Sequence, residues 1–173
     1  CKPQIITLGN GNLFMSYIDD VQTRSDQNRT ILMYTVFDGE SWSIPAPVLD
    51  DGTVDFEPIL YPDENNGVHI LWQNGNKIFD DSVDLDYMES NLDLHYIHWN
   101  GSSFENSSPV TFENQNFEVL HKIVASEDYI SIVWAQNSEN DSLLLTGTNS
   151  IYRKQFNGSS WQDIELIASD LQF

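Results

Sequence analysis

Three copies of one short turn pattern constrain the fold of this chain more than any other feature of its sequence. The copies read FDGESW at residues 37–42, WNGSSF at 99–104 and FNGSSW at 156–161. Their glycines, Gly39, Gly101 and Gly158, recur at nearly equal intervals. Asp-Gly and Asn-Gly pairs favour tight β-hairpins, because both residues tolerate the positive φ angles of such turns. The spacing therefore indicates a repeated unit built around a hairpin.

Alternating apolar residues precede each turn. A period of two is typical of a strand that buries one face. The interval from Trp72 to Trp134 equals that between the first two turn glycines, and Phe56-Glu57 recurs as Phe117-Glu118 at almost the same interval. The alternating sets are Leu13, Met15 and Tyr17 in the first copy, Val68, Ile70 and Trp72 in the second, and Ile130, Ile132 and Trp134 in the third.

Each copy is predicted to form four strands. The predicted strands are 4–8, 13–18, 30–37 and 41–48, then 58–61, 68–73, 94–99 and 103–111, then 119–125, 129–136, 150–156 and 160–168. Four antiparallel strands in a repeat of about 50–60 residues are typical of a β-propeller blade. We therefore predict an all-β fold, a single β-propeller fragment over 1–173, with three four-stranded antiparallel blades at about 1–49, 50–111 and 112–173.

Three blades cannot close a propeller ring, which uses about four to eight. The outer faces of the first and last blades are therefore expected to be apolar and to need a cover. Either the remaining blades of a longer chain or a second copy of this one would supply it.

The turn pattern resembles the Asp-box of sialidase-like β-propellers, Ser-x-Asp-x-Gly-x-Thr-Trp. Its second half matches at Gly39, Ser41 and Trp42 and at the same places in the other copies. Its first half is degenerate, because Phe37, Trp99 and Phe156 stand where the motif has Asp. The resemblance, which extends to propeller repeats of bacterial secreted or surface proteins, implies the fold, a secreted or cell-surface location and carbohydrate binding. It does not imply sialidase activity.

The charge of the chain limits its partners. The formal net charge is −20, from 27 acidic residues against seven Lys and Arg. Such a surface repels phosphate, so neither nucleic acid nor an anionic membrane is an expected partner. No apolar run approaches the about 18 residues that span a bilayer, so membrane insertion is not expected.

The one cysteine, Cys1, excludes an intrachain disulfide. Its place at residue one agrees with the lipid-modified cysteine of a bacterial lipoprotein. A trimmed or arbitrary start of the sequence is the alternative.

The arginines are not expected to form the clamp of a sialidase. Such an enzyme holds the substrate carboxylate with three arginines. This chain has three, Arg24, Arg29 and Arg153, but Arg153 is inside a predicted strand, away from the usual ligand-binding mouth. We therefore expect an extracellular, non-catalytic module that binds a glycan, a protein or a cell-wall component. The alternative is part of a sialidase-like glycoside hydrolase whose catalytic residues are completed outside this chain, so enzyme activity is left open, with a non-enzyme favoured.

Candidate site residues lie in the loops of one propeller face, which also hold most of the 27 acidic residues. Arg24, Arg29, Asp51 and Asp55 are the predicted ligand-binding residues. Calcium is the one cofactor considered, since it takes several carboxylate oxygens. Its predicted ligands are Asp80, Asp81, Asp84 and Asp86, and an ordinary solvated loop is the alternative.

The four histidines do not predict a zinc site. They are His69, His95, His98 and His121. His95 and His98 are three positions apart on a predicted strand, so they point to opposite faces and cannot chelate one ion together.

Overall fold

The computed structural model describes residues 2–112, 116–126, 129–137 and 148–171, and over these ranges the chain forms three four-stranded antiparallel sheets. The predicted all-β, propeller-blade architecture is thereby confirmed. The strands are β1 Gln4–Thr7, β2 Leu13–Asp20, β3 Thr30–Phe37 and β4 Ala46–Pro47 in the first blade, β5 Asp55–Pro62, β6 Val68–Gly75, β7 Leu92–Trp99 and β8 Ser108–Pro109 in the second, and β9 Glu118–Ala125, β10 Ile130–Asn137, β11 Asn149–Phe156 and β12 Glu165–Leu171 in the third.

Helix is confined to two short segments of the described chain. A 3-10 turn covers Asp26–Asn28, and helix α1 covers Leu85–Glu89. No helix among the described residues has the length and apolar character needed to cross a membrane.

The blades stack through two apolar cores, one on each side of the middle blade. Strand β6 is buried along its whole length, because its alternate residues face opposite neighbours. The innermost strand β5 contacts both β1 and β9. The core towards the first blade contains Phe14, Leu32, Val48, Val68, Ile70, Trp72, Ile97 and Trp99, and the core towards the third contains Leu71, Leu94, Val110, Ile123, Ile130, Ile132 and Trp134.

Trp72 and Trp134 occupy equivalent positions, as their regular place in the repeat predicts. Both side chains are fully buried, and each lies opposite a β-bulge in the neighbouring inner strand. The bulge residues Glu57 and Leu120 have left-handed φ angles of 47° and 53°. Ladder positions next to the bulges pair Phe56 with Gln73 and Val119 with Ala135.

That register corrects one detail of the sequence comparison. Phe56 corresponds in space to Val119, so the predicted match between Phe56 and Phe117 is displaced by two positions. A shift by two positions keeps the same side chains on each face of a strand, which is why the alternation alone could not detect it.

The three repeated turns share one hydrogen-bonded geometry. Each glycine has a positive φ angle, but the preceding Asp or Asn does not. Its side chain instead accepts two backbone N–H groups, as Asp38 Oδ1 does from Glu40 and Ser41 at 2.9 and 2.8 Å. Asn100 and Asn157 do the same in their own turns. The Asx side chain is therefore selected as an acceptor, not for a left-handed backbone as the hairpin statistics suggest.

The outermost strands of the first two blades are much shorter than predicted. Residues 41–48 and 103–111 read as strands, yet only Ala46–Pro47 and Ser108–Pro109 pair with the sheet, apart from an isolated bridge beside each turn. Proline has no N–H, so a proline in an outer strand removes one hydrogen bond from the ladder. Ile44 lies outside the paired residues Ala46–Pro47 and is 91% exposed.

The outer faces of the end blades differ in polarity. Register places Ile5, Met15 and Met33 on the outer face of the first blade, as expected for a surface that needs a cover. The outer face of the third blade carries Lys122 and Arg153 beside Val133, so it is mixed in character.

Candidate functional site at the start of the inner strands

Two buried carboxylates stand at the start of neighbouring inner strands. Asp55 begins β5 and Glu118 begins β9, with 1% and 0% of their surfaces exposed. Each pairs with the residue two positions beyond its blade's tryptophan, Asp55 with Asn74 and Glu118 with Gln136. The blade repeat thus places an acid at the same point twice.

Hydrogen bonds from neutral groups occupy both oxygens of Asp55. Its Oδ1 accepts Trp72 Nε1–H at 2.7 Å and Asn74 Nδ2–H at 2.9 Å, and its Oδ2 accepts the backbone N–H of Leu32 at 2.9 Å. Burial raises the pKa of Asp55 to about 6, although these hydrogen bonds act in the opposite direction. Since Leu32 belongs to the first blade and Trp72 to the second, Asp55 links the two blades.

Arg24 and Asp51 join the same polar network. Arg24 Nη1 donates to the carbonyl oxygen of Thr53 at 2.9 Å, and its Nη2 pairs with Asp50. Asp51 Oδ1 accepts the N–H and the hydroxyl of Thr53 at 2.9 and 2.6 Å. Because Asn74 also donates to Thr53 Oγ1 at 2.8 Å, three of the four predicted ligand-binding residues meet in one cluster. Their binding of a ligand stays a prediction.

Arg29 lies apart from that cluster. Its guanidinium donates to both oxygens of Asp20, at 2.8 and 2.6 Å, and to Asp26 at 3.0 Å. These groups are largely exposed, so the pairs hold the β2–β3 loop and contribute little to the free energy of unfolding.

The four predicted calcium ligands lie in the exposed β6–β7 loop. Asp80 Oδ1 accepts the N–H and hydroxyl of Ser82, and Asp84 Oδ1 accepts the N–H of Tyr87 and so caps α1. Asp81 and Asp86 are exposed. Hydrogen bonds in the loop therefore use oxygens of two of the four acids, and calcium binding there stays a prediction.

A pocket of about 290 Å³ opens between the inner strands of the second and third blades. His121 Nε2 donates to the carbonyl oxygen of Glu57 at 2.7 Å, and Gln73 Nε2 donates to that of Glu118 at 2.5 Å. Burial lowers the pKa of His121, and its buried Nδ1 has no hydrogen-bond partner among the described residues. The lining residues are Glu57, Ile59, Gln73, Phe117, Val119, Leu120, His121 and Lys122.

Sequence reasoning missed this pocket. Two of its walls are the bulges at Glu57 and Leu120, which turn the side chains of β5 and β9 away from the ordinary alternation. The Phe-Glu repeat marks where both inner strands begin, but nothing in its letters indicates a bulge.

Comparison with known proteins tests the assignment of the fold. No family model matches this chain, and no curated protein matches it. Among solved structures, an α-L-arabinanase of Penicillium chrysogenum complexed with arabinobiose matches with a TM-score of 0.58 and 12% identity, over 96% of this chain and 50% of that one. The chain thus spans about half the length of this enzyme. The likeness supports the propeller fold, while the sialidase-like character of the turns is not confirmed.

Proposed function

We propose that this chain is a non-catalytic, extracellular propeller module that binds a glycan in the pocket between β5 and β9. The observation that most strongly supports glycan binding is the composition of the pocket lining. Leu120, with 65% of its surface exposed, and Phe117 provide apolar surface, while Glu57 and Gln73 provide polar groups. A largely apolar lining with a few converging polar groups is typical of small-molecule sites. The likeness to an arabinanase complexed with arabinobiose supports carbohydrate as the ligand class.

The state of the carboxylates supports binding without turnover. Glycoside hydrolysis needs two carboxyl groups that flank the scissile bond. Glu57 is the one carboxylate among the described residues that line the pocket. Asp55 and Glu118 are nearby in sequence and fold, but they are buried from any substrate.

Further blades complete the proposed module. Half of the arabinanase chain has no counterpart here, and the apolar outer face of the first blade requires a cover. We favour the remaining blades of a longer chain over a second copy. A bacterial source and a secreted or cell-surface location are part of the same proposal, and Cys1 lies outside the described residues.

A binding measurement tests the proposal. Arabinobiose, arabinan and a panel of unrelated glycans are titrated into the ¹⁵N-labelled chain, and amide shifts are followed by NMR. We expect shifts clustered at β5 and β9, and roughly tenfold weaker binding for Leu120→Ala, because the exposed apolar surface that this side chain offers to a ligand is lost. Leu85→Ala, which removes a leucine of similar exposure outside the pocket, is the matched control. Absence of binding across the panel, or an equal loss in the control, would contradict the proposal.

The competing function is part of a glycoside hydrolase. The one observation in its favour is Asp55, whose pKa of about 6 lies in the range of a general acid. Release of reducing sugar from arabinan by the chain, abolished in Asp55→Asn, would establish this alternative. We expect no turnover.

A further inference from the structure

Three metal-ligating side chains meet at the other end of the middle blade. Asp63 lies in the β5–β6 turn, His69 is near the start of β6, and His98 is near the end of β7, directly opposite His69 in the ladder. One ligand atom from each lies within 4.8 Å of the other two. Over the described ranges, no other group of three histidines, cysteines or acids converges in this way.

The β5–β6 turn fixes Asp63 in place. Its Oδ1 accepts the backbone N–H groups of Asn65 and Gly67 at 2.7 and 2.6 Å, while its Oδ2 is 2.8 Å from His98 Nε2. A Cβ on Gly67 would overlap Asp63 Oδ2 and lie 2.8 Å from His98 Nε2. The missing side chain at Gly67 therefore makes room for the group.

A hydrogen-bonding partner on Nδ1 orients each of the two imidazoles. His98 Nδ1 is 3.0 Å from Glu105 Oε1, and His69 Nδ1 is 2.8 Å from the hydroxyl oxygen of Tyr96. A partner on one ring nitrogen commonly fixes the tautomer and the orientation of a metal-binding histidine. Here the partners take up both Nδ1 atoms, which leaves the Nε2 atoms as the ligands.

The blade fold does not require histidines at these two positions. The equivalent cross-strand pair is Phe14 with Val36 in the first blade and Ser131 with Gln155 in the third. All three pairs have the same place in the ladder, so the backbone accepts apolar and neutral polar residues there. The two imidazoles are specific to the middle blade among the described blades.

A pocket of about 250 Å³ connects the group to solvent. The opening gives an ion a path from solvent to the three side chains. The lining residues are Tyr61, Pro62, Asp63, Glu64, Asn65, His69, His98, Ala125 and Ser126.

We propose that Asp63, His69 and His98 bind a divalent transition metal, with Zn²⁺ as the best fit. Two imidazoles and one carboxylate suit zinc, whereas Ca²⁺ and Mg²⁺ prefer ligand sets made of oxygen. Ligands at about 2.1 Å from zinc lie roughly 3.4 Å apart, so small side-chain rotations close the group. The metal replaces the proton between Asp63 and His98, and the fourth position, towards the pocket, takes water.

Zinc titration of the chelator-treated chain tests this site. Isothermal titration and thermal melts are run in millimolar Mg²⁺, which occupies the exposed carboxylates. We expect one Zn²⁺ per chain and, at a hundredfold excess over Kd, a rise in Tm of roughly 5–10 °C that Ca²⁺ does not reproduce. Binding of Co²⁺ with the visible absorption of a tetrahedral complex would support the geometry.

Matched variants distinguish this site from adventitious binding. The double variant His69→Ser/His98→Gln carries the pair of the third blade and is expected to fold and to lose zinc binding. Asp63→Asn keeps the turn-forming Oδ1 and is expected to bind at least about tenfold more weakly, which provides a second test if the double variant does not fold. His95→Gln is the control and should bind as the parent chain does. Less than one equivalent of Zn²⁺, or unchanged affinity in Asp63→Asn, would overturn the proposal.

Discussion

Asp55 and Asp63 stand at opposite ends of the same inner strand, and their surroundings have opposite effects. Neutral donors surround Asp55, and burial raises its pKa to about 6. Burial also acts to raise the pKa of Asp63, but hydrogen bonds from His98 and from two backbone N–H groups hold it below the ordinary value. Relative to an ordinary aspartate, the surroundings of Asp55 favour its neutral form and those of Asp63 favour its charged form.

This difference assigns the two ends different tasks. At the start of β5 the protein's own groups occupy the carboxylate, which joins the first blade to the second. At the end of β5 the carboxylate is ionised, next to imidazoles, and borders an open pocket. A hydrogen-bonded carboxylate of the first kind stabilises the fold, whereas one of the second kind is available to a ligand.

The largest expected effect is on the link between blades. Asp55→Ala leaves Trp72 Nε1, Asn74 Nδ2 and the N–H of Leu32 buried without their acceptor, so we expect a loss of about 3–5 kcal/mol in the free energy of unfolding. Asp63→Ala, on the more exposed turn, should cost about 1–2 kcal/mol. Urea denaturation measures both. Equal losses would remove the contrast drawn between the two ends.

The pH dependence of stability is the second test. The folded-state pKa of Asp55 lies above the ordinary 3.8, so the native state binds more protons between pH 4 and pH 6. Its stabilising contribution is complete below pH 4 and is lost as pH rises through 6. From pH 4 to pH 7, the free energy of unfolding of the parent chain should fall by about 2–2.5 kcal/mol more than that of Asp55→Asn. Parallel pH profiles for the two proteins would contradict this assignment.

A smaller effect is expected from filling the space beside Asp63. Gly67→Ala places a Cβ 2.6 Å from the carbonyl oxygen of Trp99 and against the Asp63 carboxylate. Overpacking of this kind costs about 1–3 kcal/mol. Gly9→Ala, in the corresponding turn of the first blade, comes closest to the flexible side-chain end of Asn66, at 3.0 Å, and its Tm should change much less. A larger loss of stability in Gly9→Ala than in Gly67→Ala would show that the position in the turn, and not the contact with Asp63, determines the loss.

Asp84 provides a reference for the effects of Asp55 and Asp63 on stability, because it is exposed and its one described role is to cap α1. Asp84→Ala should lower the free energy of unfolding by about 1 kcal/mol. Melts of this variant with calcium and with magnesium also test the predicted calcium site. A calcium-specific shift that survives in Asp84→Ala would move that site elsewhere.

The strand that the sequence predicted best is an uninterrupted run of residues that favour strands. Residues 30–37 form β3 with the predicted bounds, because the run from Thr30 to Phe37 is rich in β-branched and aromatic residues and contains neither proline nor glycine. The outer strands are shorter than predicted, and each contains a proline, Pro47 or Pro109, that has no N–H to donate to the ladder that its apolar neighbours suggest. Apolar character indicates burial, but a ladder also needs N–H donors.

The candidate sites were harder to predict, because each depends on register. His69 and His98 lie far apart in the sequence, and only the pairing of β6 with β7 places them opposite one another. His95 and His98 point to opposite faces of one strand, so the alternation within β7 gives no sign that the metal-binding partner of His98 lies on the neighbouring strand. The place of Asp55 in an acidic loop predicts it as a site residue, whereas its hydrogen bond to the core residue Trp72 follows only from the bulged register of β5 and β6.

The repeated turns explain why this chain shows its repeat so plainly in three places and so faintly elsewhere. In each turn the Asp or Asn side chain satisfies backbone N–H groups of the same turn, so the hydrogen bonds of the turn depend on nothing outside its own short segment. Blade faces must instead fit two different neighbours, as Phe14, His69 and Ser131 do at one shared position. The turns are therefore exchangeable, and replacement of FDGESW by FNGSSW, which keeps the flanking Phe and Trp, should leave the protein folded, whereas the residues of a blade face are selected mainly by the neighbour that each face contacts.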